Sequence, residues 1–443
     1  MPLYYDEFAG WVHPADAFIL LHEGNENSFW LDRENHPTQA FSVIGSGGQV
    51  HFGDDLANLQ NELTISGDIG SQLDLPFDWR PGLVGFVEFE GGYRFLAVDR
   101  AMVFDHKNRH MYFLGAFENE NEFEQWHHAG LLRLGLAGGQ VAQYLVRTDK
   151  NLGATEEATL RHTPQSYLSL IESAQRSIAA GDVYQLCLTN QLQTKTNLDP
   201  LSVYLKLRKS HAAPYAAYLQ FGDTAVVSIS PEQFLRVSSS GLLSSKPIKG
   251  TRPRSHDFEA DDAIAIELLN NSKERSENLM IVDLMRNDFS VVSEADSVTV
   301  TKLFEIESYS TVHQLVSTIE SQLKEESNAI DALRACFPGG SMTGAPKPRA
   351  IEIIQDLEGG PRGIYSGALG YLGADGSAEF GMIIRTLIFQ RTDEGHDVSL
   401  GIGGGITIDS EPAAELAETE LKAKALLDAL AAMSARSPME GRW

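Results

Sequence analysis

A lysine and a glutamate follow two neighbouring predicted hairpins of this chain. Glu232 comes directly after a hairpin predicted over 215–230, and Lys249 comes after a second one predicted over 234–247. Consecutive hairpins would bring the two side chains together, and Gly250 would allow close approach of the backbone. A lysine is a nucleophile only when neutral, in a pocket that lowers its pKa from about 10.4, and a nearby carboxyl group can act as a general acid. The alternative is an ordinary surface ion pair.

Two pairs of glutamates recur at a spacing of three residues on two predicted helices. Glu274 and Glu277 form one pair, and Glu415 and Glu418 form the other. Residues three apart share a helix face, so two such faces that met would present four carboxylates to one site. That donor set suits Mg²⁺, a hard cation that takes few protein carboxylates and leaves room for water and substrate oxygens. The alternative is a pair of solvated acidic faces.

Two glycine-rich segments, 337–347 and 401–406, have the composition of ligand-binding loops. The first enters a predicted helix, whose free N–H groups could hold a carboxylate or a phosphate. It is not a P-loop, because Ala345 stands where lysine would be required after Gly344. The second is not a dinucleotide fingerprint, because Ile406 replaces the third glycine. A plain turn is the alternative for each segment.

The composition limits the classes of partner. The 61 acidic and 35 basic residues give a formal charge of −26, which repels nucleic acid and anionic membranes. An anionic metabolite would need a local basic site. Cys187 and Cys336 are too few for a disulfide scaffold, and the sequence has no run of about 18 uncharged apolar residues. We expect a soluble, cytoplasmic protein that binds neither nucleic acid nor membranes.

The elements that must position these residues belong to two regions. Residues 1–148 alternate short apolar runs with turn residues and are predicted to form antiparallel hairpins, and a polar segment over 147–163 is the predicted boundary. Strands and long helices alternate over 160–433, with a helix starting after Thr163 and a long helical stretch over 257–288. The pattern indicates an α+β fold of mainly antiparallel sheets with helices on the outside.

Seven segments together closely resemble the chorismate-utilising enzymes, a family that includes anthranilate, aminodeoxychorismate, isochorismate and salicylate synthases. The matching segments are SPEQFL (230–235), PIKGTRPR (247–254), ENLMIVDLMRND (277–288), HQLVSTIES (313–321), FPGGSMTGAPKPRAIEII (337–354), YSGALGYL (365–372) and GIGGGITIDS (401–410). The resemblance implies two mainly antiparallel sheets packed together, as in anthranilate synthase component I.

Two positions indicate which branch of the family the chain resembles. Lys249 stands where aminodeoxychorismate synthases have lysine and anthranilate synthases usually have alanine. Gln185 stands where the water-using members have a lysine base, so ammonia is the implied nucleophile. The resemblance therefore implies amination of chorismate to 4-amino-4-deoxychorismate, in para-aminobenzoate and folate biosynthesis. The alternative is anthranilate synthase component I, which makes anthranilate and pyruvate in tryptophan biosynthesis.

The resemblance also implies roles for the candidate residues. Lys249 would add to C2 of chorismate while Glu232 protonates the departing C4 hydroxyl. Glu277 and Glu418 would hold Mg²⁺, with Glu274 and Glu415 beside them. The implied substrate contacts are Arg385, which would bind a carboxylate, His313, which would flank the ring, and Tyr365, Ser341, Gly403, Gly405, Gln185 and Thr251. Alone, His313 would equally fit a hydrogen-bonded core histidine.

Two partners follow from the same resemblance. Residues 1–148 resemble the family more weakly, and relatives use that region to bind tryptophan, as an inhibitor or as a structural ligand. No motif for a glutamine amidotransferase with a nucleophilic cysteine is present, so ammonia drawn from glutamine implies a separate glutaminase subunit. A non-catalytic tryptophan-binding subunit is an alternative, although the retention of Lys249, Glu232, Glu277 and Glu418 argues against it.

Overall fold

Several strands of this protein, such as Gly82–Val87 and Ala368–Gly373, are buried along their whole length, and several helices begin at a side-chain cap, such as Thr163 or Asp199. The computed structural model describes residues 1–63, 73–149, 155–309 and 311–434. Part of the predicted boundary, 150–154, lies outside them. None of the helices in the described ranges is long and apolar enough to cross a membrane.

The strands are β1 (Leu3–Phe8), β2 (Asn27–Asp32), β3 (Phe41–Ser46), β4 (Val50–Gly53), β5 (Gly82–Val87), β6 (Tyr93–Val98), β7 (Arg100–Asp105), β8 (His110–Ala116), β9 (Thr159–Leu160), β10 (Gln185–Thr196), β11 (Tyr215–Phe221), β12 (Thr224–Ser230), β13 (Gln233–Val237), β14 (Leu242–Lys246), β15 (Ile248–Pro253), β16 (Thr299–Ser308), β17 (Val312–Gln322), β18 (Gly344–Ala345), β19 (Ala368–Gly373), β20 (Ala378–Met382), β21 (Thr386–Thr392) and β22 (Gly395–Ile406).

The helices are α1 (Pro14–His22), α2 (Leu59–Glu62), α3 (Glu120–Leu134), α4 (Gln140–Asp149), α5 (Pro164–Ala179), α6 (Pro200–Ser210), α7 (Phe258–Asn270), α8 (Ser272–Val292), α9 (Ala329–Cys336), α10 (Lys347–Glu358) and α11 (Pro412–Met433), with short 3₁₀ turns at Leu56–Asn58 and Gly340–Met342.

The strands form two antiparallel sheets. The first runs in the order β1-β8-β7-β3-β2-β11-β12-β21-β22-β10-β18, with β9 beside β10, and the second runs β15-β17-β14-β13-β20-β19-β5-β6-β4, with β16 beside β17. Both sheets combine strands from residues 1–148 with strands from residues 160–433. In the first, Ala217 of β11 pairs with Leu31 of β2, and in the second, Gly370 of β19 pairs with Gly85 of β5.

The two sheets pack face to face, and helices cover their outer faces. Phe86 of the second sheet stacks on Phe221 of the first, with ring centroids 6.1 Å apart, in a core shared by both sheets. Helices α1, α6 and α11 bury apolar residues against the first sheet, and α8 and α9 do so against the second. Each fully buried large apolar side chain contributes about 1.5–3 kcal/mol. The expected α+β fold, with two mainly antiparallel sheets and outer helices, is confirmed.

Two expectations about the helices were incomplete. The stretch predicted over 257–288 is two helices, because Asn271 leaves helical geometry and its side chain accepts a hydrogen bond from the N–H of Glu274, which caps α8. The region 1–148 contains helices α1, α2 and α3 and nearly all of α4 as well as hairpins. The helix predicted after Thr163 is confirmed as α5, with the Thr163 side chain as its cap.

Candidate active site

A cavity of about 760 Å³ lies where the ends of both sheets meet helices α8 and α11. All the predicted site residues except two line it: Glu232, Lys249, Thr251, Glu274, Glu277, Ser341, Tyr365, Arg385, Gly403, Gly405, Glu415 and Glu418. Gln185 and His313 do not. Residues far apart in the sequence therefore meet in one place.

Two crossings of the chain between the sheets build one wall of the cavity. Glu232 lies between β12 of the first sheet and β13 of the second, and Arg385 lies between β20 of the second and β21 of the first. The N–H of Met382 donates to the carbonyl of Glu232, and the N–H of Ile229 donates to the carbonyl of Arg385. Arg385 has a φ of +50°, a backbone strain that is typical of residues held in place at functional sites.

Glu232 has the properties of a general acid. Its side chain is buried, and that burial raises the pKa of the carboxyl group to about 7 against the opposing effects of Lys249, the Ser341 hydroxyl and Arg385. A carboxyl group with a pKa near the working pH can both give and accept a proton. Glu232 therefore holds a transferable proton near neutrality.

Lys249 forms an ion pair with one of the predicted metal ligands. Its Nζ lies 3.8 Å from Oε2 of Glu277. Burial opposes the charged amine, but Glu277 and Glu232 outweigh burial, and the pKa of Lys249 is raised above its ordinary value. The lowered pKa that a lysine nucleophile requires is therefore not present in this structure, which keeps Lys249 as an ammonium ion.

Glycine leaves room beside this ion pair. A Cβ placed on Gly405 would lie 3.4 Å from Nζ of Lys249 and 3.5 Å from Oε2 of Glu277. A Cβ on Gly403 would lie only 2.4 Å from the carbonyl oxygen of Leu188 on the neighbouring strand. Gly403 thus permits the close pairing of β22 with β10, and Gly405 keeps the surface beside Lys249 free of a side chain.

The four predicted metal ligands all have basic partners. Lys273 Nζ lies 3.1 Å from Glu415 and 3.8 Å from Glu277. Arg252 lies 3.3 Å from Glu274, and Lys422 lies 2.9 Å from Glu418. Carboxylate oxygens are the donors that Mg²⁺ prefers, and the side chain of Lys273 shows that a cation is accommodated between α8 and α11.

In this structure the four carboxylates pair with basic side chains and do not converge on one point as metal ligands would. No three His, Cys, Asp or Glu side chains in the described part of the chain come together closely enough to hold a metal ion. The donor chemistry fits Mg²⁺, but Lys273 would have to leave its two carboxylates.

Arg385 presents a free guanidinium group to the cavity. Burial lowers its pKa, although the neighbouring Glu232 opposes that effect. Within the described ranges, the Arg385 side chain makes neither a hydrogen bond nor an ion pair. A buried cation in that state is suited to a carboxylate of a ligand.

The structure does not bring His313 and Gln185 to the cavity wall. The ring nitrogens of His313 bond to Ser308 at 2.8 Å and to Asp261 at 3.0 Å, as in a hydrogen-bonded core histidine. Gln185 is buried in β10, and its Oε1 has no hydrogen-bond partner among the described residues. It shares a strand face with Cys187, which does line the cavity.

Sequence reasoning missed Arg362, which ties together two walls of the cavity. Its guanidinium donates to the carbonyl oxygens of Cys187 at 2.8 Å and Met342 at 2.6 Å, and both of those residues line the cavity. The carboxylate of Glu358 pairs with it at 2.6 Å, and both side chains are almost fully buried. Arg362 lies between the matched segments 337–354 and 365–372, so the resemblance gave no signal for it.

A second, smaller cavity of about 60 Å³ lies between the region predicted to bind tryptophan, residues 1–148, and strands β13, β19 and β20. Its walls include Arg33, Phe77, Trp79 and Glu379. Nε of Arg33 donates to Glu379 across 3.2 Å, so two charged wall residues already satisfy each other. Tryptophan binding here stays a prediction.

The sequence of this chain is similar to those of several proteins named aminodeoxychorismate synthase. The chain is 40% identical over 405 residues to aminodeoxychorismate synthase of Streptomyces griseus, covering 88% of this chain and 54% of that protein. It is 36% identical over 375 residues to aminodeoxychorismate synthase component 1 of Escherichia coli K12, covering 81% of this chain and 78% of that protein. The chain spans about half the length of several curated relatives that it matches.

The fold is also similar to that of a solved structure from the same group of enzymes. Anthranilate synthase component I of Streptococcus pneumoniae superposes with a TM-score of 0.72 at 28% identity, covering 90% of this chain and 89% of that one. The sequence pattern of the chorismate binding enzymes matches residues 80–428, which include every predicted site residue. The chain belongs to the chorismate binding enzyme family.

Proposed function

We propose that this chain aminates chorismate to 4-amino-4-deoxychorismate, using ammonia. The observation that carries the proposal is the placement of Glu232 and Lys249, an acid with a pKa of about 7 and a buried amine, on one cavity with the free guanidinium of Arg385. The similarity to proteins named aminodeoxychorismate synthase supports it.

The charges of the cavity suit this substrate. The basic lining residues are Lys249, Arg252, Lys273, Arg385 and Lys422, and the acidic ones are Glu232, Glu274, Glu277, Glu415 and Glu418. The basic and acidic residues are equal in number, and a dianionic substrate whose charge is balanced by a divalent cation leaves the net charge of the site unchanged. That balance lowers the desolvation penalty of binding a dicarboxylate inside a chain of charge −26.

The reaction proceeds in two displacements. Lys249, as the neutral amine, forms a bond to C2, both conjugated ring double bonds shift towards C4, and the C4 hydroxyl leaves as water with a proton from Glu232. Ammonia then bonds to C4, both double bonds return, and Lys249 leaves C2, while Glu232 takes up the proton that ammonia loses. Lys249 must first give up its contact with Glu277, because that contact holds its proton. The covalent intermediate divides one difficult substitution into two easier ones.

We also propose that Glu274, Glu277, Glu415 and Glu418 hold Mg²⁺, which would orient the ring carboxylate and offset its charge. Arg385 would bind the second carboxylate, and Tyr365 and Ser341 would fix the ring against the strand of Gly403 and Gly405. These assignments rest on the shared cavity and the donor chemistry.

Ammonia is proposed to come from a separate glutaminase that acts on glutamine. Cys187 and Cys336 are both buried, and burial raises the pKa of each thiol. Neither is therefore suited to be the thiolate that glutamine hydrolysis requires.

We further propose that the enzyme works in the cytoplasm in para-aminobenzoate and folate biosynthesis, and that the smaller cavity is the place to examine for tryptophan.

The test is an assay of the product with the purified chain. Incubation with chorismate, Mg²⁺ and ammonium should give a product that an added aminodeoxychorismate lyase converts to 4-aminobenzoate. Fluorescent anthranilate that forms without the lyase would instead show the second candidate function, which the similarity to anthranilate synthase component I supports. Omission of the lyase is the control that separates the two.

A further inference from the structure

Lys273 connects the two helices that carry the proposed metal ligands. It lies in the first turn of α8, and its Nζ lies 3.1 Å from Oε1 of Glu415 on α11 and 3.8 Å from Oε1 of Glu277 on α8 itself. The carboxylates are buried, with side-chain exposures of 4% and 9%, whereas the Lys273 side chain is 51% exposed. A solvent-facing lysine thus reaches inward to two buried acids.

The buried acids require that charge. A buried carboxylate without a partner is strongly destabilising, and among the residues that the structure describes Glu415 has one further donor, the Ser410 hydroxyl at 2.7 Å. Arg252 pairs with Glu274, Lys422 pairs with Glu418, and Lys249 of β15 lies 3.8 Å from Glu277. Among the basic residues of the described ranges, Lys273 alone forms ion pairs with both Glu277 and Glu415. Lys273 is therefore the cation that bridges α8 to α11.

We propose that Lys273 is an internal counter-ion that competes with the metal for Glu277 and Glu415. Its ammonium group compensates these acids in the metal-free protein and moves out to solvent when the metal binds. The half-exposed position of the side chain leaves that path open. The inference rests on the proposed Mg²⁺ site and adds to it a residue that sets the affinity without being a ligand.

The test is titration of MgCl₂ into EDTA-treated protein, followed by isothermal calorimetry. Lys273→Met keeps the aliphatic stem and removes the competing charge, so it should bind Mg²⁺ about five- to tenfold more tightly than the wild type, the equivalent of roughly 1 kcal/mol. Lys273→Arg keeps the charge and should stay close to the wild type.

The matched control is Lys424→Met. Lys424 lies on α11, the helix of Glu415, and pairs with Asp428 at 2.9 Å on the exposed surface, outside the cavity lining. Lys424→Met removes the same charge from the protein, but at a distance from the proposed metal ligands. The Mg²⁺ affinity of this variant should therefore stay within about twofold of the wild type. An equal gain in both Met variants would mean that net charge alone sets the affinity and would overturn the proposal.

The remaining outcomes separate this inference from the proposed function. Unchanged or weaker binding by Lys273→Met, with normal binding by the wild type, would overturn the competition and leave the metal site standing. If no variant bound Mg²⁺, the metal site and the competition would both be rejected, and the product assay would still decide the amination. Thermal denaturation of the metal-free variants checks that each is folded, and Lys273→Gln replaces the Met variant if that one is not.

Discussion

The amine of Lys249 lies 3.8 Å from a carboxylate oxygen of Glu277, so the proposed nucleophile and a proposed metal ligand form one ion pair. The two residues come from β15 and α8, which are distant in the sequence and meet only in the folded chain. Anything that engages Glu277 also changes the environment of Lys249. The charge state of the proposed nucleophile therefore depends on what the proposed metal ligand Glu277 binds.

Lys249→Ala should reduce amination of chorismate at least about 10³-fold, because the amine that forms the covalent intermediate is gone. The fold should persist, since Glu277 keeps Lys273 as a partner. The lyase-coupled formation of 4-aminobenzoate measures the loss. Lys246→Ala is the control, because Lys246 pairs with Glu307 at 3.0 Å outside the cavity lining and carries the same charge. Turnover retained by Lys249→Ala would exclude the covalent route.

Glu232→Gln should become increasingly stable relative to the wild type as the pH rises. The folded-state pKa of Glu232 is about 7, above its ordinary value of 4.5, so the folded protein binds a proton that the unfolded chain releases between those values. The stability that this proton contributes is present at low pH and is lost as the pH rises through about 7. Glutamine does not titrate.

The difference in unfolding free energy between Glu232→Gln and the wild type should therefore grow by up to about 3 kcal/mol between pH 4.5 and pH 7, and then level off. Urea denaturation at several pH values measures it. A difference that stays constant over this range would contradict the raised pKa. The same variant should lose about 10²- to 10⁴-fold in turnover, since glutamine cannot supply the proton.

Arg385→Met should raise the KM for chorismate about ten- to a hundredfold, because a charge-assisted hydrogen bond to a carboxylate contributes about 1.5–3 kcal/mol. Steady-state kinetics with ammonium measure it. Arg391→Met is the control, since Arg391 lies on β21, the strand that follows Arg385, is exposed and faces Asp223 at 3.6 Å. Equal effects of the two substitutions would argue against a carboxylate contact at Arg385.

Arg362→Met should lower the free energy of unfolding by about 3–5 kcal/mol, because it leaves the buried carboxylate of Glu358 without its partner. The double variant Glu358→Met with Arg362→Met should recover part of that loss. Arg349→Met is the matched control, as Arg349 forms an exposed pair with Glu352 and should change stability by less than about 1 kcal/mol. Urea denaturation distinguishes these cases, and a loss that is the same for the two arginines would contradict the role of burial.

Part of the site could be predicted because Glu232, Lys249 and Glu277 lie in long matched segments. Lys249, Glu232 and Arg385 each stand at a strand end or a crossing between sheets, where local sequence signals such as Ser230-Pro231 are strong. The opposite holds for Lys273 and Arg362. Their roles depend on partners in space, Glu415 and the carbonyls of Cys187 and Met342, which no local pattern indicates.

His313 and Gln185, whose roles stay predictions, lie in strands β17 and β10 and are not among the residues that line the cavity. In a buried strand, one residue of displacement along the strand changes the face on which a side chain lies. Val312 and Gln314 line the cavity, and His313 between them turns to Ser308 and Asp261. Similarly, the break at Asn271 was missed because the polar residues on both sides continue a helical pattern, and only the cap hydrogen bond to Glu274 reveals the boundary.

The pairing of β2 with β11 and of β5 with β19 means that residues 1–148 cannot be treated as a removable module. A fragment that began after residue 155 would expose the edge of β11 in one sheet and of β19 in the other, and unpaired edges of this kind recruit foreign strands. Attempts to obtain a minimal catalytic fragment by truncation should therefore yield aggregates. Two fragments expressed together could complement each other, because each supplies the strands that the other lacks.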